Sequence, residues 1–198
     1  MNNILVIHSS VRFSDSISRS LSAKLVNRLN ASADNRIERD LSRGIPYINH
    51  KYLDALNRPS SDLSSDEQQL VDLSNELIFE LEWADTIVIG SPMYNFGPSA
   101  SLKAWADLVA RAGVTFQYSD KGPQGLLKNK KAYIIAVTGG TIVNSHNDYM
   151  TPWLKHFLKF IGIKNISTII ADGVYADNGE NKIGQAEKTI YEVTDVSS

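Results

Sequence analysis

Short apolar runs rich in β-branched residues alternate with segments of helical periodicity, and this alternation restricts the fold more than any other feature of the chain. One run extends from Ile4 to Ile7, and similar runs lie at Thr86 to Gly90, Ala132 to Val137 and Ile166 to Ala171. Such runs are typical of strands buried on both faces, which occur in parallel sheets. We therefore expect a parallel sheet covered by helices on both sides.

Between these runs, apolar residues recur every three or four positions, as on one face of an amphipathic helix. The first helix is expected to begin near Ser14 to Ser16, because every fourth residue from Ile17 to Leu29 is apolar. Four later helices are predicted. The first has a capping box at Ser65 and Gln68 and ends near Ala84, and the second extends from Ala100 to Arg111. The third is opened by Thr151 and Pro152 and ends at Ile161, and a weaker fourth helix extends from Glu180 to Val193.

Two further segments complete the predicted fold. Arg36 to Leu41 alternates weakly and is expected to form a short fifth strand, whereas Gly44 to Ser64 contains two prolines and is expected to be irregular. Parallel strands that alternate with helices need right-handed crossovers. The chain is therefore expected to be of the α/β class, with one domain over residues 1–198 that forms a three-layer sandwich around a five-stranded parallel sheet.

The composition excludes several functional classes. The 198 residues include no cysteine, which excludes a disulfide scaffold, a zinc–thiolate site, an iron–sulfur cluster and a cysteine nucleophile. The net charge is -2, so we expect no nucleic acid partner. The apolar run at the N-terminus is too short for a signal peptide or a membrane span, so we expect a cytoplasmic protein without a membrane partner. No metal site is expected.

The loop after the first strand is the first candidate site, because ligands of open α/β sheets bind beyond the carboxyl ends of the strands. Hydroxyl groups, free N–H groups and the dipole of a helix N-terminus together suit a phosphate group. Serine is also common at helix caps, so a capped and solvated loop is the alternative interpretation. The loop lacks the glycine motifs of dinucleotide and triphosphate sites, which favours a single terminal phosphate. The loop has a cation at Arg12 and hydroxyl groups at Ser9, Ser10, Ser14, Ser16 and Ser18.

Two more loops follow predicted strands at the same edge. Between Pro92 and Pro98, Asn95 carries a donor and an acceptor that suit the edge of a planar heterocycle, and two aromatic residues flank it. A proline-bounded turn whose aromatics cover the core is the alternative. After the fourth strand, Gly139 and Gly140 allow a ligand to approach the backbone closely, although two glycines also simply make a turn.

The segment from Ser91 to Tyr118 resembles the FMN-dependent NADH-azoreductases, also described as NADH:quinone oxidoreductases. Its motifs are P-M-Y-N-F, then L-K-x-W-x-D and R-A-G-V-T-F-Q-Y, and the similarity continues through Gly122 to Leu126, Val137 to Gly140 and Thr151 to Gly162. With the opening strand and its serine loop, the resemblance covers nearly the whole chain. It implies a flavodoxin-like fold, bound FMN, NADH or NADPH as electron donor, and quinones or aromatic azo compounds as acceptors.

The resemblance also implies the site residues. The serine loop would hold the FMN phosphate, and the two other loops would line the isoalloxazine ring. A homodimer whose second subunit completes the active site is implied by the resemblance alone. The implied cofactor-binding residues are Ser10, Ser16, Ile17, Ser18, Pro92, Met93, Tyr94, Asn95, Phe96, Val137, Thr138, Gly139 and Gly140, and the implied substrate-side residues are Tyr118 and Phe96.

No catalytic side chain is expected, because flavin N5 would accept hydride from the nicotinamide and deliver it to the acceptor in a ping-pong scheme. None of the four histidines is therefore expected to act, and Asp107 and Arg111 are expected to form an ordinary ion pair on one helix face. A flavodoxin-like electron carrier, or a binding module without catalysis, is the alternative function. A pure electron carrier would usually be smaller and markedly acidic, and this chain is neither.

Overall fold

Strands and helices alternate along the chain, and the structure, a computed structural model, describes residues 2–29 and 32–195. In chain order the strands are β1 (Ile4–His8), β2 (Arg36–Asp40), β3 (Thr86–Pro92), β4 (Phe116–Ser119), β5 (Gly122–Gly125), β6 (Lys131–Val137) and β7 (Asn165–Ala171). The helices are α1 (Ile17–Arg28), α2 (His50–Ala55), α3 (Ser65–Trp83), α4 (Ala100–Val109), α5 (Met150–Phe160) and α6 (Gly179–Asp195).

Five strands form one parallel sheet, as the sequence predicts, and the structure gives their order as β2-β1-β3-β6-β7. The register pairs His8 with Gly90 and Pro92 with Val137, so the carboxyl ends of β1, β3 and β6 meet at one edge. The chain winds from β1 outwards to β2 and then returns past β1 to β3. The direction of winding therefore reverses between β1 and β3, which is where such folds bind ligands.

Each face of the sheet carries its own apolar cluster, and the strand residues alternate between the two. Leu5 and Ile7 belong to the cluster that α3, α4 and α5 cover, whereas Ile4 and Val6 belong to the cluster under α1 and α6. Burial on both faces explains why the strands read as continuous apolar runs. The three-layer α/β sandwich is confirmed.

Three predicted helix details are wrong. The capping box of α3 uses Ser64 and Glu67, because the Glu67 carboxylate accepts the Ser64 N–H at 2.9 Å and its charge favours the helix N-terminus. Helix α5 begins at Met150, and the Asp148 carboxylate accepts the N–H of Thr151 at 2.9 Å. Arg111 lies beyond the end of α4 at Val109, so it does not form the predicted ion pair with Asp107. Asp107 pairs instead with Lys103, four residues earlier on the same helix, at 2.5 Å.

Two elements lie where the sequence gives little signal. Helix α2 forms within the segment expected to be irregular, where Asn49 caps it by accepting the Tyr52 N–H at 3.0 Å. Tyr52 is fully buried, and its hydroxyl donates to Ser74 Oγ at 3.0 Å. The antiparallel pair β4–β5 is the second such element, a hairpin of two four-residue strands, of which the second begins and ends with glycine.

Candidate functional site

The loop from Ser9 to Ser16, the serine loop, connects β1 to α1 and carries a cluster of buried hydroxyl groups. Ser9 Oγ donates to the carbonyl of Gly90 at 2.9 Å, which ties the start of the loop to β3. Ser16 caps α1 by accepting the N–H of Arg19 at 3.4 Å, and its Oγ lies 3.2 Å from Ser18 Oγ. The helix cap of the alternative interpretation is therefore present. The hydroxyl groups of Ser16 and Ser18 also lie together at the N-terminus of α1.

Arg19 fastens the serine loop to the end of β2. Its guanidinium donates to the carbonyls of Ser10 and Arg12, both at 2.9 Å. It also donates to the two carboxylate oxygens of Asp40 at 3.0 and 2.7 Å. Burial alone would raise the pKa of Asp40, but hydrogen bonds from Arg19 and Ser42 outweigh it and lower that pKa to about 2. The loop is thus held in one conformation by a charged group behind it.

His8 lies at the end of β1, behind the same loop. Burial lowers its pKa, and the charge of Arg19 lowers it further, against the opposing effect of Glu38 and Asp40. The imidazole is therefore largely neutral at pH 7. That His8 takes no catalytic role stays a prediction.

The loop after β3 is a tight turn with an uncommon backbone. Tyr94 and Gly97 exchange two N–H···O=C hydrogen bonds of 3.0 Å each, and the residues between them have φ angles of 48° (Asn95) and 70° (Phe96). Positive φ at both central positions is the type I′ pattern, which glycine and asparagine adopt more readily than phenylalanine. Strained backbone of this kind is concentrated at binding and catalytic sites. The turn leaves the Phe96 side chain 53% exposed.

The serine loop and this turn meet at one hydrogen bond. The hydroxyl of Tyr94 accepts the N–H of Val11 at 3.3 Å, across 83 residues of sequence. Beside this bond lies a cavity of about 260 Å³, which we call the ligand cavity. It is lined by Ser10, Arg12, Asp15, Ser16, Ile17, Ser18, Pro92, Met93, Tyr94, Val137, Gly139, Val174 and Tyr175.

A larger groove of about 950 Å³ lies on the other side of Tyr94. Asn95 faces this groove together with Tyr47, Tyr149 and Trp153, and its lining is mainly apolar. Tyr94 belongs to the lining of both spaces and so stands between them. We call this second space the aromatic groove.

The turn after β6 contributes backbone to the ligand cavity. Gly139 borders the cavity, and a Cβ atom there would lie 3.0 Å from the Tyr175 ring. Thr138 is 1% exposed, and its hydroxyl donates to the Thr141 carbonyl and accepts the N–H of Gly173 at 3.1 Å. The threonine therefore stabilises the turn from inside, and the glycine provides the surface.

The structure brings together most of the residues that the sequence singles out. Phe96, Thr138 and Gly140 do not line the ligand cavity, although Thr138 and Gly140 are the sequence neighbours of Gly139, which does. Tyr118 lies on β4, is 77% exposed, packs edge-to-face on Phe116 and lines neither space. The predicted residues that line the ligand cavity are Ser10, Ser16, Ile17, Ser18, Pro92, Met93, Tyr94, Val137 and Gly139, and Asn95 lines the aromatic groove.

Sequence reasoning missed the contribution of the loop after β7. Val174 and Tyr175 line the ligand cavity, and the Arg12 guanidinium lies 5.8 Å from the centre of the Tyr175 ring. The N–H of Tyr175 donates to the Gly139 carbonyl at 3.1 Å, which joins this loop to the glycine turn. The signal was present, because this loop also follows a buried parallel strand at the same edge.

Comparisons with known proteins agree with this geometry. A family model described as the flavodoxin-like fold matches residues 2–193. The FMN-dependent NADH:quinone oxidoreductase of Erythrobacter litoralis (strain HTCC2594) is 48% identical over 195 residues, which cover 98% of this chain and 99% of the relative. The chain belongs to this flavodoxin-like oxidoreductase family. A second member, the FMN-dependent NADH:quinone oxidoreductase 1 of Hahella chejuensis, is 40% identical, and the aligned residues cover 100% of this chain and 98% of that relative.

Solved structures support the same family. The FMN-dependent NADH-azoreductase of Bacillus anthracis str. Ames Ancestor, solved in complex with FMN, has a TM-score of 0.86 and 26% identity and covers 98% of each chain.

Within residues 2–29 and 32–195, no group of three or more potential metal ligands comes together. No helix in those two ranges is long and apolar enough to cross a membrane.

Proposed function

We propose that this chain is an FMN-dependent oxidoreductase that passes hydride from NADH to quinones and aromatic azo compounds. One observation carries the proposal: buried serine hydroxyls at the N-terminus of α1 open into the same cavity as the Pro92 to Tyr94 segment and the backbone of Gly139. The electron-carrier alternative is not favoured, because the relatives are named as oxidoreductases.

The phosphate end of FMN fits the serine loop. Ser10, Ser16 and Ser18 offer hydroxyl donors, and the first N–H groups of α1 are directed towards the same space. Asp15 is the carboxylate of the lining, and its ion pair with Arg12 at 3.0 Å offsets its charge. The donor set of this loop therefore suits an anionic group.

The ring end of FMN fits the two other loops. Met93, Tyr94 and Gly139 line the ligand cavity, and the Tyr175 ring packs where a Gly139 side chain would lie. The amide of Asn95 has the donor and the acceptor that a pyrimidine edge needs. Asn95 lines the aromatic groove on the other side of Tyr94, so its amide would reach the ring only where the ring extends past Tyr94.

When bound, FMN supplies a ring nitrogen that takes up hydride from NADH and later gives it to the acceptor. The work of the protein is to hold the ring and to leave one face of it open. Among the lining residues, which the structure describes in full, no histidine is present. The open side adjoins the aromatic groove, where Tyr47, Tyr149 and Trp153 suit flat, electron-poor acceptors.

We also infer a homodimer and a cytoplasmic location. The aromatic groove is mainly apolar and contains exposed tyrosines, 69% exposed at Tyr47 and 64% at Tyr149, which suits a surface that a second copy covers. A second subunit would close the open side of the site. NADH is abundant in the cytoplasm, and the lack of cysteine is compatible with that compartment.

The absorption spectrum of the purified protein tests this function. We expect a flavin band in the visible range, which NADH bleaches and benzoquinone restores. Heat release followed by mass measurement should identify the cofactor as FMN. A colourless protein that does not take up FMN would overturn the proposal, and stoichiometric FAD would overturn the assignment of the serine loop.

A further inference from the structure

A third cavity, of about 670 Å³, lies at the opposite edge of the sheet from the ligand cavity. Its walls come from the β4–β5 hairpin, the segment before β6 and the segment between α5 and β7. Since β6 and β7 each have seven residues, about 20 Å of strand separates the two edges. Its lining includes five lysines, Lys121, Lys128, Lys130, Lys159 and Lys164, so we call it the lysine cavity.

The charge of the lysine cavity has one sign. None of its lining residues, all of which the structure describes, is acidic. The chain as a whole carries a net charge of -2, so this concentration of cations is local. A concave surface lined by charges of one sign focuses the electric field and attracts ligands of the opposite sign.

Four of these lysines have no partner within the described part of the chain. Other lysines do form ion pairs with carboxylates, for example Lys103 with Asp107 and Lys182 with Asp172. Lys130 differs from the four, because its ammonium donates to the carbonyls of Glu82 and Ala84 at 2.8 and 2.7 Å. Lys130 therefore forms part of the wall, and the four others are available to a ligand.

The floor of the lysine cavity is rigid backbone. A Cβ atom on Gly125 would lie 2.1 Å from the nitrogen of Gly162, so the hairpin and the end of α5 touch without side chains between them. The N–H of Leu127 also donates to the Ile161 carbonyl at 3.0 Å. These contacts fix the hairpin that carries Lys121 against the segment that carries Lys159 and Lys164.

We propose that the lysine cavity binds a small polyanion that carries several phosphate groups. Lysine ammonium groups bind phosphate as compact point charges, and several of them around one space match a ligand with several anionic groups. Gln124, Asn129 and Asn165 add amide donors to the lining. A cavity of about 670 Å³ is within the range of small-molecule sites, whereas a membrane would need a flat or protruding basic face.

Calorimetric titration with inorganic tripolyphosphate tests the proposal on the FMN-loaded protein, in which the serine loop is already occupied. We expect one binding site that weakens as salt is added. The triple variant Lys121→Gln, Lys159→Gln, Lys164→Gln should bind at least about tenfold more weakly, because three attractive charges are lost. The matched control is Lys51→Gln, Lys155→Gln, Lys188→Gln, which removes three lysines outside the cavity and should bind as the native chain does.

Amide NMR locates the probe and separates the outcomes. Tripolyphosphate should shift the signals of Gly122, Gly125 and Gly162 in the native protein. Lys159→Gln alone, with an unchanged melting temperature, should reduce the shifts if the triple variant does not fold. Equal weakening in both triple variants, shifts confined to the serine loop, or no binding at millimolar probe would overturn the proposal. Tighter binding of a single-stranded oligonucleotide than of tripolyphosphate would replace it with a nucleic acid site.

Discussion

The guanidinium of Arg19 and the carboxylate of Asp40 form a bidentate ion pair, and the same guanidinium donates hydrogen bonds to the carbonyls of Ser10 and Arg12. The ion pair therefore acts on the proposed phosphate site through the backbone of the serine loop. Arg19 is in this sense a positioning residue, because it lies behind the loop and not among the residues that line the ligand cavity.

Replacing Arg19 by Gln should weaken FMN binding about tenfold or more, because two hydrogen bonds that order the loop are lost at about 0.5 to 1.5 kcal/mol each. Fluorescence titration of the apoprotein with FMN measures the change. Arg43→Gln is the matched control, since Arg43 is 82% exposed and lies 3.8 Å from the same carboxylate. Equal effects of the two variants would show that the charge near Asp40 matters and the loop contacts do not.

Lowering the pH should reveal how much the Asp40 carboxylate stabilises the fold. Its pKa in the folded protein is about 2, below the ordinary 3.8, so the carboxylate stabilises the fold above that ordinary value and loses this effect as the pH falls towards 2. The difference in melting temperature between the native chain and Asp40→Asn should therefore shrink between about pH 5 and pH 2. A difference that stays constant over this range would contradict the role of the ion pair.

Replacing Ser16 by Asp should greatly weaken FMN binding, because a carboxylate would face the phosphate group. Asp is also a good helix cap, so the melting temperature of the apoprotein should change little. Ser20→Asp places the same charge on an exposed position of α1 and serves as the control. Unchanged FMN affinity in Ser16→Asp would mean that the hydroxyl acts only as a cap.

Replacing Asn95 by Leu should lower FMN affinity and shift the flavin redox potential, because buried polar atoms of the ring would lose partners at about 1 to 3 kcal/mol each. The φ angle of 48° also strains leucine, so Asn95→Gly separates the two causes by keeping the turn and removing the amide. Asn144→Gly, at a φ of 66°, is the matched control. If potentiometry and titration find Asn95→Gly unaltered, the amide does not contact the ring.

Steady-state kinetics should show parallel double-reciprocal lines for NADH and benzoquinone. If the loops cover one face of the ring, donor and acceptor must use the same open face and cannot occupy it together. Stopped-flow mixing with NADH alone should then bleach the flavin band completely. Intersecting lines, or bleaching that needs the acceptor, would show a ternary complex and exclude a shared face.

The parallel sheet could be predicted because β1, β3 and β6 are buried on both faces and read as continuous apolar runs. The β4–β5 hairpin could not, since Gly122 and Gly125 bound a strand of only four residues and its position depends on backbone contact with Gly162. The capping box of α3 was misplaced by one residue because Ser64 and Ser65 are adjacent, and only the geometry shows which serine is the cap.

The candidate site, like the fold, could be predicted from the sequence only in part. The serines and the Pro92 to Tyr94 segment lie in loops after buried strands, so their meeting at one edge follows from the topology alone. The contact of Arg19 with Asp40 could not be predicted, because it joins residues 21 positions apart that lie on α1 and at the end of β2. Tyr118 was placed on the substrate side by resemblance, and in this chain it lies on the hairpin, so its contact with substrate stays a prediction.

The hydrogen bond from Val11 to Tyr94 has a consequence for protein engineering. The loop of each residue is encoded in a different part of the gene, yet one phenol oxygen connects them. A chimera that takes only one of the two loops from a relative would bring together surfaces that have not been matched to each other. Transplanting the binding properties of a relative into this scaffold therefore requires exchanging both loops in one step.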